Sequence, residues 1–227
     1  MTALQGHSDT EIANRIDSLN KLLTRIDGMT KISASDRSGL TISIQTEIAS
    51  LTSLKTSIDT DTSTTSLKTD AQSITKSYRV YALVLPQASI TAAADRVLDL
   101  VTSFNTLSTK LEGYVTTAQT NGTNVSAAVS AMSLMNAKVS DASTQSKAAL
   151  TEVAGLQPDL GAASTLQANT AALKDAQSKI KTATSDLAAA RKDVTTIVAT
   201  IKGSMKAPGG ATSAGASASV SASTTVH

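Results

Sequence analysis

Residues 163–204 read ASTLQANTAALKDAQSKIKTATSDLAAARKDVTTIVATIKGS, and within them Leu166, Leu173, Ile180, Leu187, Val194 and Ile201 return at every seventh position. Ala176, Ala183, Ala190 and Ile197 fill the second apolar position of the same repeat. A sustained seven-residue repeat keeps one stripe against a neighbour only if the helices supercoil left-handedly. The stretch therefore predicts one long helix with coiled-coil-like packing, and alanine in the second position lets the partner backbone come close.

Working outward, the rest of the chain carries apolar residues at the same helical spacing rather than at the alternation of strands. A segment over 124–156 has Val125, Ala128, Met132, Met135, Val139, Ala142, Ala149 and Val153 on one side, and Gln157 and Pro158 stop it. Before it, a segment over 88–120 shows Ile90, Ala94, Val97, Val101, Phe104, Leu111 and Val115, closed by the turn signal Asn121 and Gly122. A segment over 66–85 lines up Leu67, Ala71, Ile74, Tyr78, Tyr81 and Leu85, and Pro86 is expected to end it. A segment beginning near Ser35 and Asp36 carries Leu40, Ile44, Ile48, Leu51, Leu54 and Ile58, with Ile42 off the stripe. The first segment, 8–28, opens on Ser8-Asp9-Thr10-Glu11, which has the form of a capping box, and continues through Ile12, Ile16, Leu19, Leu22, Leu23 and Ile26.

These segments predict an all-α fold of elongated antiparallel helical bundles: six helices as two consecutive three-helix bundles joined near Pro86. The expected division is 8–86 for the shorter bundle and 87–204 for the longer one. Residues 205–227, rich in Ser, Ala and Gly, have no stripe and are expected to form a disordered tail.

Composition narrows the chemistry. Ala, Ser and Thr fill about 45% of the chain while charged residues supply 17%, so hydroxyls do much of the work of solvation. A mean hydropathy of +0.01 is too apolar for a chain disordered throughout. The absence of Cys removes thiolate nucleophiles and Cys-ligated metals. The two histidines, His7 and His227, lie near the termini, which argues against a His-based dyad or a multi-His metal site. Net charge is +2 with aromatics at 2%, so the basic face and stacking residues of nucleic-acid binding are missing. The longest strongly apolar run, Val80-Tyr81-Ala82-Leu83-Val84-Leu85, is far short of a membrane span. The opening residues MTALQGHSDT show no signal peptide.

Individual motifs read mostly as structure. Tyr78 and Tyr81 lie three apart and are expected on one core face. Asp95 and Arg96 are expected on a solvated helix face, and Glu11, Glu47, Glu112 and Glu152 on exposed faces. Met132 and Met135 read as gap-filling core residues rather than a binding groove. Asn121-Gly122-Thr123 and Asn124-Val125-Ser126 match the glycosylation pattern, which arises easily by chance in so Thr- and Ser-rich a chain. No nucleotide-binding, phosphate-loop or zinc-protease signature is present. No catalytic, cofactor-binding or metal-binding residue is assigned, and no enzyme activity is expected.

The stretch Ser73-Ile74-Thr75-Lys76-Ser77-Tyr78-Arg79-Val80-Tyr81-Ala82-Leu83-Val84-Leu85-Pro86-Gln87, with Ala92-Ala93-Ala94-Asp95-Arg96-Val97 after it, resembles uncharacterised bacterial helical-bundle proteins that are exported or envelope-associated. The flanking Leu67-Lys68-Thr69-Asp70 and the later Leu187-Ala188-Ala189-Ala190-Arg191-Lys192-Asp193-Val194 are similar too. The resemblance spans most of 10–204 and implies an extracellular or cell-envelope location, the alternative being cytoplasmic. It brings no catalytic or binding residue with it.

The expectation is a non-enzymatic structural or interaction protein, an exported cell-envelope or surface spacer, working with a protein or envelope partner or by self-association through its long helices. The alternative is an amphipathic coat protein on a lipid or granule surface, for which the absence of a basic, Trp- and Phe-rich face is the opposing observation.

Overall fold

A computed structural model describes residues 2–28 and 33–206, the side chains of 204–206 excepted. Among the described residues there are five helices, the third of them bent. Helix α1 is Thr2–Asp27 and α2 is Ala34–Thr60. The bent helix α3 has a short arm, Thr64–Lys76, and a long arm that begins in a π turn, Val80–Val84, and runs on through Leu85–Thr120. Helices α4, Ser126–Ala154, and α5, Ala163–Lys206, complete the chain.

The local chemistry of the starts and stops is plain. Ser33 caps α2 by accepting the Asp36 N–H at 3.0 Å, while its own hydroxyl donates to Asp36 Oδ2 at 2.6 Å. Asp61 closes α2 and opens the short arm of α3: its carboxylate accepts from the Ser63 N–H and from the Ser66 hydroxyl. These side chains satisfy backbone donors that a helix end otherwise leaves open. Between α3 and α4 the chain reverses at Gly122, whose φ of 79° lies in the left-handed region that glycine enters without a Cβ clash.

The expected six helices in two consecutive three-helix bundles are not what forms. The break falls at residues 77–79, and the backbone runs through Pro86 without stopping. Pro86 sits in the opening turn of the α-helical part of the long arm. There the wider π turn gives the proline ring room that a regular helix would deny it. The first turns of the long arm then serve two cores. Val80 and Ala88 pack with Ile12, Leu19, Ile44, Leu51, Ile58, Leu67 and Ile74 of α1, α2 and the short arm. Leu83 and Ile90 pack instead with Ala149, Val153, Leu173 and Ala176 of α4 and α5. One bent helix thus takes part in both ends of the molecule.

The remaining core lies between the long arm, α4 and α5, where Val97, Val101, Leu111, Met135, Val139, Ala183, Leu187, Ala190 and Ile197 meet. The second position of the α5 repeat is the deeper one: Ala176, Ala183, Ala190 and Ile197 are all 0% exposed, whereas Leu166 is 37% exposed. Small residues at the seam allow this close approach of backbones, as the repeat predicts. Met132 and Met135 fill the core. Ser8 is interior to α1 and buried, because the helix starts at Thr2; no capping box forms there. The tail expected over 205–227 lies, past Lys206, outside the described residues.

Candidate functional site

One group of polar side chains gathers around the bend of α3. Arg79 has φ 38° and ψ 35°, a left-handed conformation that costs a residue with a Cβ roughly 1–2 kcal/mol. Its guanidinium grips Asp159 with two hydrogen bonds, from Nε at 2.5 Å and from Nη2 at 2.9 Å. The Asp159 side chain is 1% exposed. The Arg79 guanidinium, more than the Gly161 N–H donated at 2.7 Å, holds its carboxyl below the usual range. The Asp159 loop is itself sharply turned, with Leu160 at φ 51° and Gly161 at φ 93°. Gln87 donates to the Val153 carbonyl and Asn169 to that of Gln157, so the connection between α4 and α5 is tied on both sides.

The two tyrosines separate across the bend. Tyr78 is half-buried and donates to the Ser50 carbonyl at 3.3 Å. Tyr81, expected on the same core face, is 48% exposed. The loss of helical geometry at 78 and 79 changes the register between them. Tyr81 lies instead under the Arg15 guanidinium, 5.2 Å from its centroid, with its hydroxyl 3.2 Å from that of Ser18. Arg15 also pairs with Glu11 of its own helix.

Two carboxyls are drawn inside, contrary to the expected exposed faces. Glu47 has a buried Oε1 with no hydrogen-bond partner, and burial pushes its pKa up to about 7. Asp95 is 6% exposed while its neighbour Arg96 is exposed. Burial first, then the negative charge of Asp36, pushes Asp95 up to about 6, partly offset by the Ser33 N–H at 3.4 Å. Glu152 is half-buried and pairs with Lys179, which also holds Asp175 at 2.5 Å. Of the four expected glutamates Glu112 is exposed and Glu11 partly so. Spacing held a signal for the two missed groups. Glu47 stands three residues after Ile44 and four before Leu51, and Asp95 stands seven after Ala88 and beside Ala94, all of them buried. Both therefore sit on the apolar stripe.

Among the described residues no three His, Cys, Asp or Glu side chains come together as a metal site. His7 is exposed on α1, and His227 lies outside the described residues. Shallow grooves mark the surface of the described residues, two of them as follows. One, of about 370 Å³, is bounded by Ala34, Arg37, Ser38, Thr41 and Ile42. The other, of about 180 Å³, is bounded by Ser89, Ile90, Ala93, Gln177 and Ile180. Neither of these two grooves reaches Glu47, Asp95 or Asp159. Among the described residues no helix is long and apolar enough to cross a membrane. The chain matches no family model and none of the curated proteins, and its fold matches no solved structure.

Proposed function

We propose that this chain is a non-enzymatic amphipathic coat protein, which lays its long helices on an apolar surface such as a lipid or polymer granule. The observation that carries the reading is the state of the hydroxyls. Along the helices the threonines turn back and donate to the carbonyl four residues earlier, as Thr46 does to Ile42, Thr102 to Leu98, Thr117 to Gly113, Thr170 to Leu166 and Thr184 to Ile180. A hydroxyl whose proton is already donated has less to lose when water leaves. Faces built this way enter an apolar boundary at lower cost than faces built of Lys and Glu.

The core supports the same reading. It is made of single stripes on helices of 26, 27, 29 and 44 residues beside the 36-residue helical stretch of the long arm. Each helix therefore has a complete apolar face to offer elsewhere if the helices part. Buried polar side chains, Ser108, Ser146 and Asn169 among them, dilute the apolar contacts that hold the helices together. Binding without a basic face should depend little on anionic lipid or on salt. The companion reading, an exported envelope spacer, draws on the sequence resemblance.

The test is flotation with neutral phosphatidylcholine vesicles and with triolein droplets, at low and high salt. The expected result is that the full-length protein floats with the droplets at both salt concentrations and keeps its helical circular dichroism. Protein left entirely in the dense fraction under all these conditions overturns the coat reading in favour of the spacer.

A further inference from the structure

We propose that the bend of α3 is a latched hinge: the Arg79–Asp159 pair holds a helix bent whose own sequence favours a straight one. Three observations carry this. First, the stripe Leu67, Ala71, Ile74, Tyr78, Tyr81 and Leu85 is in helical register straight across the break, and residues 77–79, Ser-Tyr-Arg, contain neither glycine nor proline. Second, the break puts Arg79 in the left-handed region, where a residue with a Cβ is strained, and it expels Tyr81 from the stripe to 48% exposure. Third, the group that the strained residue holds is not local. Asp159 stands 80 positions away, at the connection between α4 and α5, and its side chain is almost wholly covered.

Local preference and tertiary contact therefore pull in opposite directions at residues 77–79. Pro86 does not oppose straightening, because the π turn Val80–Val84 already accommodates it and need not change. When the pair is broken, residues 77–79 take up helical geometry and the short arm, with α1 and α2 attached, swings away from α4 and α5. The contacts that must give way are the Arg15–Tyr81 stacking, the Ser18–Tyr81 hydroxyl pair, the Ser33–Asp95 hydrogen bond and the packing of the buried Val80 and Ala88. The hinge stands apart from the coat reading, since its test contains no lipid.

The chain has no cysteine, so labels can be introduced cleanly. Lys68 on the short arm and Thr106 on the long arm are both exposed. With Lys68→Cys and Thr106→Cys carrying spin labels, a straight helix places the labelled positions about 57 Å apart at 1.5 Å per residue, and the bent one places them closer. The full-length protein should give the shorter distance alone. Adding Asp159→Asn, which keeps the acceptor for the Gly161 N–H but removes the charge, should bring in a component near the straight-helix value. Arg79→Ala, which keeps the strain and removes the other half of the pair, should do the same. If both variants keep the parent's distance, the bend belongs to the packing and the latch is overturned. If both lose the helical signal at 222 nm, the pair supports the fold itself and the proposal falls equally.

Discussion

Leu51→Ala is the sharpest test of how the N-terminal half of the molecule is held. Leu51 is 0% exposed, in the middle of α2, within the cluster formed by Ile12, Leu19, Ile44, Ile58, Leu67 and Ile74. Truncation removes three carbons, worth about 0.8 kcal/mol each as transfer free energy, or about 2.4 kcal/mol together. The cavity left behind adds to this, because helices pinned on either side close it only in part. The expected loss is therefore about 3–4 kcal/mol, inside the range of about 2–5 kcal/mol for buried leucines. Against a total stability of about 5–15 kcal/mol, such a change is easily read. The assay is urea unfolding followed at 222 nm, with Leu166→Ala as the comparison. Leu166 is 37% exposed, and its truncation should stay within about 0.5 kcal/mol. With a urea dependence of about 1–3 kcal/mol per molar, Leu51→Ala moves a midpoint by about 1 M or more. If residues 8–86 and 87–204 unfold as separate units, as the sequence division proposes, only one of two transitions moves. A single transition that shifts as a whole would discard that division. A loss no larger than that of Leu166→Ala would refute the burial of Leu51 and the packing of α2 with it.

Ala183→Leu should destabilise the protein by about 1–3 kcal/mol, because the 0% exposed alanine leaves no room at the α5 seam for a larger side chain; a thermal melt of this variant that matches the parent would mean the helices stand further apart. Stability should also fall as pH rises from about 4 to 8. Glu47 and Asp95 have folded-state pKa values raised to about 7 and about 6, so the native state holds protons that the unfolded chain has released. Glu47→Gln should flatten this dependence by about 1 kcal/mol, a figure reduced because the residue is only partly buried, and should raise the midpoint at pH 8 by a few degrees. Melting curves at pH 5 and pH 8 for parent and variant check the sign, and a parent more stable at pH 8 would contradict it.

Much of the helical architecture was legible because apolar side chains at helical spacing have one productive use. Spacing puts Ile44, Leu51 and Ile58 on the buried face and Ile42 off it, and the exposures are 1%, 0%, 0% and 61%. The turn at Asn121 and Gly122 was legible from local conformational preference alone. The start of α1 was not, since the Ser8 box is a sound local signal that the preceding residues override by continuing the helix. The interior carboxyls were missed for a different reason. Residue type alone puts Glu47 and Asp95 outside, whereas the stripe on which they stand decides where their side chains go. The hydroxyl faces were visible only as composition; that threonines donate to carbonyls one turn back is a property of the helix once formed.

The bend of α3 shows where such reading stops. The local pattern at residues 73–84 favours one continuous helix: the stripe is unbroken, the segment holds neither glycine nor proline, and Pro86 lies beyond the break. The expected stop at Pro86 rested on a rule about regular helices, and the π turn evades that rule by changing the helix. What decides the geometry is an acid 80 residues away, whose buried charge Arg79 stabilises, beyond the Gly161 N–H, by turning toward it. A burial-driven pairing of this kind has no periodicity and no spacing, so a sequence cannot display it. The same fact is what makes the site informative. A helix break that local sequence demands would be permanent, whereas one imposed by a single distant pair can be undone by removing that pair.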